Sequence, residues 1–142
     1  MLSSVGREFR CSILIVEPDP RRELQRAGLL FESAGFRVLS AGSFDEAKQL
    51  LKSDPPDVLV TELKLGPYNG LHLVVRSRAD HPHMAAFVTS HFADTALAAE
   101  AARQNAAFLV RPFGDLDLLK AVQSAVATPR APLTVENEVP SS

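Results

Sequence analysis

Apolar positions along this chain switch between a strand-like and a helix-like period in a regular order. Residues 12–16 (SILIV) form a short β-branched run suited to a buried parallel strand. It stops at Glu17-Pro18-Asp19-Pro20, where two prolines end the strand and preset a helix start. Leu24, Ala27, Phe31 and Ala34 then recur at helical spacing, with Arg21, Arg22, Glu23, Gln25 and Arg26 opposite, and Gly35 at the C′ stop. Residues 36–41 (FRVLSA) read as a second strand. Ser43 and Glu46 make an S-x-x-E capping box for a helix that turns Ala47, Leu50 and Leu51 inward before Asp54-Pro55-Pro56 breaks it.

The same alternation continues. Residues 57–62 (DVLVTE) are a third strand, and Gly66-Pro67-Tyr68-Asn69-Gly70 is a turn by composition. Helical spacing resumes over 71–79 through Leu71, Val74 and Val75. Residues 85–90 (AAFVTS) are a fourth strand, and 94–104 an alanine-rich helix with a weak apolar face. Residues 107–110 (AFLV) are a fifth strand, ended by Arg111-Pro112. Asp115 is placed to cap a last helix burying Leu116, Leu119, Val122 and Val126. Five strand–helix repeats predict an α/β fold, a (βα)5 doubly wound parallel sheet covered on both faces. In such folds ligands bind beyond the carboxyl ends of the strands. The residues there are Glu17, Asp19, Glu62, Thr89, Ser90 and Arg111.

Composition narrows the classes. At 142 residues the chain is one domain's worth of protein, with an ordinary core and no need of disulfides or metal. A 46% hydrophobic and 23% charged composition, with mean hydropathy +0.03, is globular. A net charge of −2 and a pI near 6.1 leave no basic footprint for nucleic acid. A single cysteine, Cys11, excludes an internal disulfide framework and a cysteine-rich zinc site. The start MLSSVGREFR lacks a signal-peptide core, and no apolar run approaches the ~20 residues that span a bilayer. The expectation is a cytoplasmic protein away from membranes. It comprises an N-terminal extension (1–11), one domain (12–127) and a flexible proline-bearing tail (128–142), with no attached output domain.

Six segments carry a family resemblance: ILIVEPDP, AGF, DVLVTE, NGL, VTS and FLVRPF, in order and at the matching spacing. Together they make the chain similar to the receiver domain of response regulators in two-component signalling, a flavodoxin-like fold with strand order 2-1-3-4-5. The resemblance implies a phosphoryl switch. An aspartate ending strand three accepts phosphate from a histidine kinase or phosphotransfer protein, and two acids after strand one help hold Mg²⁺. A lysine ending strand five contacts the phosphoryl group, while a strand-four hydroxyl and a strand-five aromatic report the change. On this chain the acceptor position falls on Glu62, the acidic pair on Glu17 and Pro18, and the lysine on Arg111, followed by Pro112 and Phe113. The switch hydroxyl falls on Thr89 and the aromatic on Phe108.

These departures point one way. Glu62 is one methylene longer than aspartate, and misplacement near 1 Å costs in-line attack roughly 10²-fold. Pro18 supplies no side-chain oxygen to a metal. Mg²⁺, which wants near-octahedral oxygen ligands, is left with Glu17, Glu62 and a loop carbonyl, and with Asp19 only if the loop turns it inward. Arg111 spreads the lysine charge over a planar fork suited to a carboxylate, so a direct Glu62–Arg111 pair is expected.

The resulting expectation is a stand-alone pseudo-receiver, not an enzyme, with no cofactor and at most weakened Mg²⁺ binding. It acts by docking to a histidine kinase, phosphotransfer protein or downstream effector, with a homodimer through the helix 4–strand 5–helix 5 face as a further option. One alternative keeps phosphorylation, with Asp19 completing the metal site. Another, a flavodoxin-like cofactor binder, is opposed by EPDPRR, which lacks a hydroxyl- or glycine-rich phosphate cradle. Plainer readings stand beside these roles. Glu17 and Asp19 suit a turn and helix N-terminus; Glu62 and Arg111 suit solvated strand ends, and Thr89 a backbone-bonded hydroxyl. Cys11, Phe108 and Phe113 suit packing. His81 and His83, flanking Pro82, with His91 in reserve, suit exposed loops better than a metal site.

Overall fold

Ile13, Leu14, Ile15 and Val16 are all completely buried, which a strand achieves only when both of its faces are covered. They lie in β1 (Cys11–Val16), within a parallel sheet that also contains β2 (Phe36–Ala41), β3 (Val58–Glu62), β4 (Ala85–Ser90) and β5 (Ala106–Val110). The strand order is β2-β1-β3-β4-β5. This computed structural model describes residues 11–19 and 21–127. The expected tail over 128–142, and the expected extension apart from Cys11, lie outside the described residues. Cys11 opens β1 and packs half-buried at the core margin.

The helices are α1 (Glu23–Ser33), α2 (Phe44–Ser53), α3 (Gly70–Asp80), α4 (Thr95–Arg103) and α5 (Asp115–Ala127). The strand pleat divides the apolar residues between two cores. Leu14, Val16, Leu59 and Val88 face α2, α3 and α4, packing on Phe44, Leu51, Leu73 and Val74. Ile13, Ile15, Val60 and Phe87 face α1 and α5, packing on Leu24, Phe31, Leu118 and Val122. Gly35, with φ of 95°, closes α1 in the left-handed conformation expected of a C′ glycine.

Local chemistry shifts several predicted details. Ser43 accepts the Glu46 N–H at 3.1 Å, as a capping box requires, but the Glu46 carboxylate accepts from Gly42, at 2.8 Å, rather than from Ser43. Asp57, read as the first residue of the third strand, precedes β3 and accepts the Ser12 N–H at 2.9 Å. In α3 the inward residues are Leu71, Leu73 and Val74; Val75 is 42% exposed, contrary to the pattern reading. In α5, Asp115 is the first helical residue rather than the cap. Gly114 takes the cap place: its carbonyl accepts from Leu118, and its N–H donates to Asp117. That register buries Leu118, Leu119 and Val122 and leaves Leu116, expected in the core, 54% exposed.

Candidate functional site

One step of two along the pleat from the buried residues Ile15, Val60, Phe87 and the half-buried Leu109 reaches Glu17, Glu62, Thr89 and Arg111. The core facing α1 and α5 therefore ends, at the carboxyl edge of the sheet, in two carboxylates, a hydroxyl and a guanidinium. Glu17, Glu62 and Thr89 are buried, and the Arg111 side chain is 7% exposed.

These groups bond to one another. The Thr89 hydroxyl donates to Glu62 Oε2 at 2.8 Å, and Arg111 Nη2 donates to the same oxygen. The expected Glu62–Arg111 pair is thus formed, and Thr89 bonds a side chain at this edge. The Arg111 guanidinium carbon also lies 5.1 Å from the centre of the Phe113 ring, a cation–π arrangement. The Arg111–Pro112 peptide bond is cis.

Glu17 uses Oε2 to accept the Asp19 N–H at 3.1 Å, and its backbone carbonyl accepts from Gln25 Nε2 at 3.1 Å. Burial holds its carboxyl above the ordinary glutamate value of 4.5. The Asp19 N–H opposes that rise and the Glu62 charge adds to it. Asp19 turns elsewhere. It accepts the Arg21 N–H at 2.9 Å and lies 3.5 Å from Arg21 Nε and 3.7 Å from Arg22 Nε, contacts that hold its carboxyl below the usual aspartate range. Among the described residues, no three His, Cys, Asp or Glu side chains are placed to share a metal ion.

Phe108 stands apart from this cluster. It pairs with Val88 across the sheet, one residue out of phase with Thr89, and packs half-buried against the core facing α2, α3 and α4. Over the edge lies a cleft of about 440 Å³ lined by Glu17, Asp19, Glu62, Lys64, His91 and Phe92. Arg22 Nη1 bonds His91 Nε2 across its rim.

Gly70, a structural determinant that the residue pattern alone does not expose, lies beneath Glu62. A Cβ there would stand 2.2 Å from the Glu62 carbonyl oxygen and 2.6 Å from Thr61 Oγ1. The first turn of α3 can press on the end of β3 only because position 70 has no side chain. Its N–H donates to the Leu63 carbonyl at 2.7 Å, while Asn69 caps α3 by accepting from the His72 N–H at 3.1 Å. The visible signal was the Asn-Gly pair, which reads as a turn. Just before it, Lys64–Leu65 and Tyr68–Asn69 form a two-residue antiparallel ladder.

Residues 13–123 match the response regulator receiver domain family. The chain belongs to that family. The positive alginate biosynthesis regulatory protein of Pseudomonas aeruginosa is 30% identical over 135 residues, which is 92% of this chain and 53% of that protein. The chain therefore spans about half the length of that relative. A CheY-like receiver domain protein from Methanospirillum hungatei JF-1 has a TM-score of 0.77 at 20% identity, covering 82% of this chain and 94% of the other. A receiver domain protein from Clostridium thermocellum has a TM-score of 0.74 at 26% identity, again covering 82% and 94%. As a receiver domain the chain is a component of two-component signalling, whose receivers interact with kinases, phosphotransfer proteins or effectors. No helix of the described residues is long and apolar enough to cross a membrane.

Proposed function

We propose that this receiver domain is a pseudo-receiver: a cytoplasmic, non-enzymatic module that signals by docking to a partner chain rather than by accepting a phosphoryl group. The observation that carries this reading is the shared Glu62 oxygen, which already accepts both Arg111 and Thr89. A carboxylate attacks phosphorus through an oxygen lone pair. Two donors on Oε2, one of them a cation, withdraw electron density from the carboxylate and weaken it as a nucleophile.

The donor set does not fit Mg²⁺. Pro18 has no side-chain oxygen, Asp19 faces Arg21 and Arg22, and Arg111 puts a positive charge on Glu62. No step is therefore assigned to a metal ion. With Thr89 and Arg111 held by a permanent carboxylate, the arrangement is set by the sequence and not switched by a donor. Histidine kinases, phosphotransfer proteins and downstream effectors are the partners of matching chemistry.

Incubation with acetyl phosphate and Mg²⁺, followed by intact-mass measurement, tests the reading. The wild type is expected to stay unmodified, and a stable phosphoryl adduct on it would overturn the proposal. Glu62→Asp alone is also expected to stay unmodified. The triple variant Pro18→Asp/Glu62→Asp/Arg111→Lys, which returns a second acid, a shorter nucleophile and a point-charge cation, is expected to acquire the adduct.

A further inference from the structure

Away from the strand edge, α2 and α3 border two adjoining cavities of about 300 and 470 Å³, and Lys48 and Arg76 line both. The first has a floor of buried Leu51 and Leu73, with Lys52 on its rim. The second is walled by Phe44 and Tyr68, whose rings stack at 4.5 Å, and by the exposed Val75. Spacing explains the layout: Lys48 and Lys52 are one helical turn apart on α2, so their ammonium groups project from the same face.

The two cavities are lined by three cations, Lys48, Lys52 and Arg76, and two acids, Asp45 and Asp80. Among the described residues every other arginine makes a hydrogen bond or ion pair: Arg21 and Arg22 with Asp19, Arg26 with a carbonyl, Arg37 with Asp54, Arg78 with carbonyls, Arg103 with Glu100 and Arg111 with Glu62. Arg76 makes none, and neither Lys48 nor Lys52 has an ion pair. The acids that line the cavities, Asp45 and Asp80, stand in the first turn of α2 and at the last residue of α3 and make no ion pair with these cations, so the lining is cationic by one charge. An apolar floor with a cationic rim, and an exposed tyrosine and arginine placed to anchor a partner, is the complement of an amphipathic acidic segment.

We propose that the α2–α3 groove docks a segment of a partner protein whose apolar side chains are flanked by carboxylates. The assignment does not depend on the state of Glu62. Nucleic acid is the lesser match, because the floor is apolar and the whole chain carries a net charge of −2.

The test uses the ¹⁵N-labelled 142-residue chain and two synthetic amphipathic peptides with the same apolar residues, one bearing glutamates and the other lysines at its charged positions. The glutamate peptide is expected to shift amide signals of α2 and α3, with binding weakened by added salt and about fivefold by Arg76→Ala. Charge reversal with Lys48→Glu/Arg76→Glu is expected to transfer the preference to the lysine peptide, and retained amide dispersion verifies the fold of each variant. Equal binding of both peptides, or signal shifts confined to α4, β5 and α5, would overturn the proposal. So would displacement of the peptide by an equal concentration of duplex DNA. Tighter peptide binding by Glu136→Gln/Glu138→Gln would make the chain's own acids the occupant and likewise overturn assignment to a partner.

Discussion

Arg111 reaches past β4 from the end of β5 to meet Glu62 at the end of β3, and both side chains are more than nine-tenths buried. A buried ion pair adds little net stability over an apolar pair of similar shape, because desolvation offsets attraction. Its consequence is conformational: neither charge can leave without stranding the other. The pair and the Thr89 hydroxyl on the same oxygen therefore hold the ends of three strands in one arrangement.

Removing one partner should expose that dependence. Arg111→Met leaves the Glu62 charge buried without its cation and is expected to cost about 3–5 kcal/mol in urea unfolding. Glu62→Gln/Arg111→Met removes both charges and is expected to recover most of the loss. Additive losses in the two single variants and the double variant would contradict coupling between the residues.

Two glycine substitutions should act in opposite directions. Gly70→Ala drives a Cβ into the Glu62 carbonyl oxygen, so α3 must shift, at a cost of about 3 kcal/mol. At Gly28, inside α1, a Cβ would meet only Val38 and Ile15 side chains, at 3.6 and 3.8 Å, which are ordinary contact distances. Gly28→Ala is expected to stabilise by about 0.5–1 kcal/mol through helix propensity. Thermal and urea midpoints measure both.

Glu17 predicts a pH dependence. Burial raises its carboxyl in the folded state, so folding favours the protonated form. Its contribution is fully present below the unfolded value of 4.5 and is lost as pH rises through the higher folded value. Glu17→Gln keeps an oxygen for the Asp19 N–H and has no proton to lose. The variant is expected to exceed the wild type in stability at neutral pH, with the difference shrinking in acid. Urea midpoints across that range would show a constant difference if the Glu17 proton played no part.

The register of α5 can be tested by a pair of truncations. Leu118 is 1% exposed and Leu116 54%. Leu118→Ala is expected to cost about 2–5 kcal/mol. Leu116→Ala, on the surface, is expected to stay within about 0.5 kcal/mol of the wild type. Equal losses would mean that Leu116 is packed in solution.

Much of this molecule was legible from residue order. A strand covered on both faces reads as a near-continuous apolar run, so the ILIV of SILIV and the VLV of DVLVTE declared a covered parallel sheet, and the residue types at and after each strand end marked its carboxyl edge. The fork of Arg111 and the extra methylene of Glu62 were enough to anticipate their pairing. Periodicity failed where helix phase depends on a cap. A shift of one or two residues in the start of α5 exchanges Leu116 for Leu118, and the pattern of leucines permits both. It failed also for interactions that depend on where loops turn. Whether Asp19 faced a metal or Arg21 and Arg22 was decided by the loop after β1. The clash that reserves position 70 for glycine exists only because α3 lands on the end of β3. Local chemistry therefore determined which elements form and which side chains reach the sheet edge. Only the packing of one element on another decided which of those side chains meet, because such meetings depend on distances between residues far apart in the chain.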